Sequence, residues 1–241
     1  MRKEKTMKST LLEIEQRFDA DVERFSNLET GQQTTLDAAF NMELITTSIA
    51  RMYPQPIRVL DIGCGAGNYM VKLLQKKKSI DITLVDLSQP MLDRALARVG
   101  AVNAGTTDAL KGDFRTIDLK EGAYDVIVTT AVLHHLRDDA DWADSFGRLY
   151  RLLKPGGSLW VFDLIQQHTA ALQDYIYKDL YGTYLTGLKD EAYRDAVFAY
   201  IEKEDSPRSL VYQLDLLRSV GFSTVDILHK NLCFASYVGM K

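Results

Sequence analysis

Four apolar runs in this chain end in residues that could do chemistry. The first end is Asp61-Ile62-Gly63-Cys64-Gly65-Ala66-Gly67-Asn68, where a carboxylate precedes three alternating glycines. Glycines let a backbone approach a ligand closely, and the helix expected after them offers unpaired N–H groups and a positive dipole end. The second end is Asp86, nineteen residues beyond Gly67, where a carboxylate can accept both hydroxyls of a ribose. The third is Asp113-Phe114, able to hydrogen-bond an exocyclic amine and pack on a flat base. The fourth is Thr129-Thr130, followed by Ala131 and by two adjacent histidines, His134 and His135. Such ends converge at the carboxyl edge of an open α/β sheet, so together they describe a site for an adenosine-containing ligand.

The identity of that ligand turns on details of the glycine loop. A dinucleotide fingerprint places its third glycine where this chain has Asn68, which weakens an NAD-dependent dehydrogenase reading. A carboxylate ahead of the first glycine suits a ligand carrying an ammonium rather than a pyrophosphate. An amino acid joined to adenosine has that ammonium, and a carboxylate for the helix N-terminus. His134 and His135 are the candidate catalytic residues, since a histidine near its free pKa can act as a base at neutral pH. The structural alternative is that one caps or packs while the other faces solvent. His168 and His229 have no supporting neighbours and read as structural or exposed.

Alternating strands and helices must hold these ends in place. Residues 57–62 read as a first buried strand, with Met70, Val71, Leu73 and Leu74 as the helix after it. Further strands are expected at 80–87, 109–113, 124–130 and 158–164. Helices lie between them, one capped by Ser88 and one carrying Trp142, Phe146, Leu149 and Leu153. This alternation is the pattern of a doubly wound α/β sheet. Before it, Leu11, Ile14, Phe18, Val22 and Phe25 predict an amphipathic helix of about four turns, breaking near Glu29-Thr30-Gly31. A second helix carries Leu36 to Ile49. These two either cover the glycine-loop end or pack on the sheet edge. From Gln166 to Ser219 only helices are expected, and seven of the twelve tyrosines fall there, to line a pocket or to pack. Ser206-Pro207 is expected to start the last helix. Two strands then follow, 222–229 and 232–238, joined by a turn at Lys230-Asn231.

Composition narrows the class. With 241 residues and 46% hydrophobic content the chain fits one domain with a real core. A net charge of −4 argues against non-specific nucleic-acid binding, although not against a local RNA site. The basic run Lys76-Lys77-Lys78 closes a helix, where it complements the dipole. Two distant cysteines form no zinc or disulfide framework, so no metal is expected, and the chain reads as cytoplasmic without a membrane span.

Five segments in order, VLDIGCGAGNY (59–69), LVDLSQPML (84–92), GDF (112–114), YDVIVTTAVLHHL (124–136) and LLKPGGSLWVFD (152–163), resemble the class I S-adenosylmethionine-dependent methyltransferases. The resemblance implies a Rossmann-like, mostly parallel seven-stranded sheet ending in an antiparallel hairpin. It implies S-adenosyl-L-methionine as cofactor and S-adenosyl-L-homocysteine as product. Asp61 and the Gly63-Cys64-Gly65 backbone would hold the methionine part, and Asp86 the ribose. Leu87 and Met91 would flank the adenine, with Asp113 and Phe114 on the base and Thr130 and Ala131 beside the sulfonium. One domain is expected: a helical cap (1–54), a cofactor-binding core (55–165), a helical insertion (166–220) and the terminal hairpin (221–241).

Outside the core, Arg17-Phe18-Asp19, Val220-Gly221-Phe222 and Phe234-Ala235-Ser236-Tyr237-Val238 are similar to the carboxy-S-adenosylmethionine synthase and tRNA wobble-uridine branch. That branch holds the cofactor's extra carboxylate with an arginine of the last long helix. Leu216 stands there in this chain, with Arg218 the nearest arginine. The expected function is therefore methyl transfer to a small-molecule acceptor. Action on tRNA or on the cofactor itself is the alternative, and a non-catalytic cofactor-binding subunit is the second. A homodimer is compatible with the pattern.

Overall fold

The computed structural model describes residues 8–27 and 32–241. Seven strands form one sheet: β1 (Arg58–Ile62), β2 (Asp81–Asp86), β3 (Thr107–Lys111), β4 (Tyr124–Thr130), β5 (Leu153–Leu164), β6 (Thr224–Asn231) and β7 (Phe234–Met240). Their order is β3-β2-β1-β4-β5-β7-β6. The first five pair in parallel, whereas β7 runs antiparallel to both β5 and β6. Strand order reverses between β1 and β4, so their carboxyl ends open a crevice there.

Ten α-helices are described: α1 (Leu11–Ala20), α2 (Val22–Ser26), α3 (Ala38–Met52), α4 (Asn68–Leu74), α5 (Gln89–Gly100), α6 (Asp139–Leu152), α7 (Ala170–Leu172), α8 (Gly182–Leu188), α9 (Glu191–Glu204) and α10 (Leu210–Val220). The chain continues from α7 as a π-helix over Gln173–Tyr181. On α6, Trp142, Phe146, Leu149 and Leu152 recur at helical spacing and are all fully buried against the sheet. Each contributes roughly 1.5–3 kcal/mol of burial. Leu214 and Leu217 of α10 join the same apolar layer. The opposite layer contains Ile45 and Ile49 of α3, Met70 and Leu73 of α4, and Ala95 and Val99 of α5.

Several expected boundaries move. The first helix is interrupted at Asp21, whose N–H turns back to the Phe18 carbonyl, so α1 and α2 are separate. The break expected at Glu29-Thr30-Gly31 lies outside the described residues. The last helix starts at Leu210, capped by Ser209, because Ser206 donates to the His134 carbonyl and Gln166 bridges to Ser209. The hairpin turn is Leu232-Cys233 rather than Lys230-Asn231, since a bulge between Ile227 and His229 carries β6 on to Asn231. β5 begins at Leu153, and Lys154-Pro155-Gly156-Gly157 is an excursion within it, which shifts the register between Tyr124 and Val126. Among the described residues no helix is long and apolar enough to cross a membrane.

Candidate functional site

The glycine loop is built from strained turns. Gly63, Gly65 and Gly67 all have positive φ (63°, 50° and 77°), and a Cβ on Gly63 would stand 2.2 Å from Val132 Cγ2. Gly67 forms the left-handed entry to α4. Cys64 N–H donates to the Val85 carbonyl (3.1 Å), and Gly65 N–H donates to Asp86 Oδ2 (2.8 Å). Those two amides are thus spent inside the protein, and the donors left for an anion are those of the first turn of α4. This narrows the backbone contribution expected from Gly63-Cys64-Gly65. Burial pushes the Cys64 thiol well above its usual range.

The residues expected at the strand ends surround one cavity. Gly63, Cys64, Gly65, Asp86, Leu87, Met91, Asp113, Phe114, Thr130 and Ala131 all line it. Asp61 lies beneath its wall, 2% exposed, with Oδ2 lacking a hydrogen-bond partner. Burial, reinforced by the nearby Asp86 charge, pushes the Asp61 carboxyl well above the carboxylate range. Burial also raises Asp86, despite N–H groups of Ser88, Gly65 and Leu87 that favour its charge. A buried carboxylate with an unmet acceptor and a half-buried one beside it fit a ligand that brings an ammonium and hydroxyls. Asp113 is engaged by Arg115, whose guanidinium bonds both its oxygens and reaches Asp141 at 2.8 Å.

Residues from α1 and α2 roof this cavity. Leu11, Ile14, Phe18 and Phe25 line it. Asn68 Nδ2 donates to the Phe25 carbonyl (2.8 Å), and its Oδ1 accepts from Arg98 (2.7 Å). Ser88 Oγ, which caps α5, also donates to Asp19 (2.5 Å). The side chain that replaces a dinucleotide-loop glycine is thus one of the anchors of the N-terminal roof. Of the two placements left open for these helices, α1 and α2 take the glycine-loop side, while α3 packs on the sheet layer.

A second cavity of about 320 Å³ opens beside the first. Phe18, Phe25, Gln32, Ala131 and His135 line both. Ala131 turns at φ 56°, in the left-handed region that a residue with a Cβ adopts at a cost. Tyr181, Tyr193 and Tyr200 line the second cavity. By contrast Tyr177 packs on Phe198, Tyr212 packs on Trp142, and Tyr175 is exposed, so the tyrosine cluster both lines and packs.

The histidines belong to a buried relay. His134 Nδ1 contacts Asp163 Oδ1, and its Nε2 lies 3.7 Å from Asp205 Oδ1. Burial opposes charge on His134, but Asp163 and Asp205 outweigh it and hold its pKa up at about 9. His135 Nδ1 stands 3.2 Å from the same Asp205 oxygen. Burial, then the His134 charge, holds His135 below its ordinary pKa, so it is neutral near pH 7. Burial would raise Asp205, yet the two histidines bring it below the usual carboxylate range. Sequence reasoning missed Asp163, Asp205 and Arg115. Asp163 sits in an apolar strand and Asp205 follows a helix, and neither position carries a local signal. His229 pairs with Asp37 at 2.8 Å and His168 is exposed, both away from this cluster.

Residues 59–157 match the methyltransferase-domain family. The whole chain is similar to a carboxy-S-adenosyl-L-methionine synthase of Campylobacter lari, 23% identical over 95% of this chain and 96% of that protein. A demethylmenaquinone methyltransferase of Thermus thermophilus is 31% identical over 45% of this chain and 47% of that protein. Among solved structures, a Haemonchus contortus phosphoethanolamine N-methyltransferase in complex with S-adenosyl-L-methionine has a TM-score of 0.63. It is 19% identical, covering 91% of this chain and 46% of that one. With the strand order, glycine loop and strand-end carboxylates already described, these likenesses support one reading: residues 59–157 form a methyltransferase domain, within a chain that has the fold of S-adenosylmethionine-dependent methyltransferases.

Proposed function

We propose that this enzyme methylates a small-molecule acceptor that enters the second cavity and meets the cofactor at the Ala131–His135 opening. The observation that carries this reading is the shared wall: the cavity ringed by the glycine loop and Asp86 joins a separate, aromatic one there. S-Adenosylmethionine supplies a methyl group already activated on a sulfonium. The protein's part is then alignment and exclusion of water, and well-oriented reactants gain on the order of 7–11 kcal/mol. In this reading Asp86 accepts from the ribose, and Asp61 receives the ammonium of the methionine part. Asp113 and Phe114 flank the base between Leu87 and Met91. Phe18 and Phe25 close the roof against solvent. His135, neutral and facing both cavities, takes a proton from an acceptor that must lose one, which is worth about 10²–10⁴-fold where it applies.

Carboxylation of the cofactor is the second reading, favoured by the likeness to carboxy-S-adenosyl-L-methionine synthase along 95% of the chain. Against it, Arg218 pairs with Asp215 on an exposed face of α10 and lines neither cavity. Incubation with methyl-labelled S-adenosylmethionine and a fractionated cell extract separates the readings. Label is expected in the small-molecule fraction. Label in tRNA, or a carboxylated cofactor found by mass spectrometry, would overturn the proposal.

A further inference from the structure

The floor of the second cavity carries two buried acceptor atoms without a partner. Asp205 Oδ1 and His135 Nδ1 lie 3.2 Å apart, yet neither has a hydrogen bond of acceptable geometry among the described residues. Asp205 is 5% exposed. Leaving such groups unpaired costs about 1–3 kcal/mol each, more for a charge. Nearby cations are engaged elsewhere. Lys8 donates to the main-chain carbonyls of Glu202 and Asp205, Arg137 to those of Glu204 and Ser9, and Arg17 pairs with Glu204 at 2.7 Å.

Charge and shape then define what is missing. Asp163 and Asp205 flank the single ring of His134, and the ammonium of Lys8 and the guanidinium of Arg137 reach main-chain carbonyls beside them rather than the Asp205 carboxylate. A carboxylate or phosphate there would meet Asp205 with like charge. An alcohol would fill one acceptor and bring no charge to the carboxylate. An ammonium supplies both the charge and several N–H donors. Around it stand the aromatic rings of Tyr181 and Tyr193, whose faces attract cations, while the Arg17 guanidinium already lies over the Phe18 and Tyr200 rings at 5.1 and 4.7 Å.

We propose that the second cavity binds a primary or secondary amine as its ammonium, with nitrogen against Asp205 Oδ1 and His135 Nδ1 and carbon among the tyrosines. This rests on the reading of that cavity as the acceptor's. The ammonium gives one proton to His135. The freed nitrogen pair forms the N–C bond to the methyl as the S–C bond breaks, and that bond's pair stays on sulfur. The product amine leaves as an ammonium, and His135 returns its proton to water.

Calorimetry on protein saturated with S-adenosylhomocysteine tests the assignment with two matched pairs, 2-phenylethylamine against 2-phenylethanol and cyclohexylamine against cyclohexanol. The amines should bind about tenfold tighter or more, the scale of one charged hydrogen bond. Asp205→Asn should remove that preference while leaving S-adenosylhomocysteine affinity unchanged. His135→Gln should weaken it while leaving the His134–Asp163 contact in place. No amine preference in either pair, or a preference that survives Asp205→Asn, overturns the proposal. So does stoichiometric Zn²⁺ or Mn²⁺ binding lost in Asp205→Asn, since His134, His135 and Asp205 would then be metal ligands. Amine binding without methyl transfer would leave this ligand class standing and remove the acceptor reading instead.

Discussion

Replacing Asp163 by asparagine should cost this fold about 3–5 kcal/mol, the scale of a broken buried ion pair. Asp163 is 1% exposed. Its Oδ2 accepts N–H groups from Val132 (3.2 Å) and Leu133 (2.7 Å), while Oδ1 accepts from Leu164 (2.7 Å) and contacts His134. An asparagine of the same shape must turn its NH₂ toward one of these donors, whichever way it sits. A second route gives a similar size. His134 is held at about 9 against an ordinary 6.5, which corresponds to about 3 kcal/mol shared between Asp163 and Asp205. Because the folded pKa is raised, that stabilisation is fully present below pH 6.5 and is lost as pH rises through about 9. Urea unfolding of both proteins at pH 7 and at pH 9 provides the assay. Wild type should lose much of this increment over the interval, and Asp163→Asn should lose clearly less. Parallel pH dependences, or a variant within about 1 kcal/mol of wild type at pH 7, would refute the relay.

Other positions give independent checks. Asp86→Ala should weaken S-adenosylmethionine at least about tenfold in calorimetry, the loss of a charged hydrogen bond, and unchanged affinity would remove Asp86 from the site. Gly63→Ala should destabilise by about 1–3 kcal/mol, since its Cβ would collide with Val132 at a positive φ; an unchanged melting temperature would contradict the loop geometry. Asn68→Ala removes the hook from α4 to the Phe25 carbonyl. It should raise the cofactor Kd by roughly fivefold or more and speed proteolysis near α2, and identical digestion would show that the roof is held by other contacts.

Much of the cofactor side was legible because its signals are local. β4 runs from Tyr124 to Thr130 as expected, and Ser88 caps α5, because an apolar run and a cap residue act through their immediate neighbours. The reaction side was less legible. His134 and His135 stood out as a pair, but the groups that set their charge come from β5 and from the end of α9. No spacing rule links Asp205 to His135 seventy residues earlier. The hairpin turn slipped by two residues because a bulge in β6 depends on its partner strand. Asp21 ends α1 without glycine or proline, so the break between α1 and α2 left no mark in the apolar periodicity.

The most direct test of the two-cavity account is a crystal structure with S-adenosylhomocysteine and an acceptor captured from cell extract. The account predicts adenosine between Met91 and Phe114, the ribose on Asp86, and sulfur at the Ala131–His135 opening with the acceptor among Tyr181, Tyr193 and Tyr200. Sulfur turned away from that opening, or an acceptor bound outside the second cavity, would contradict it.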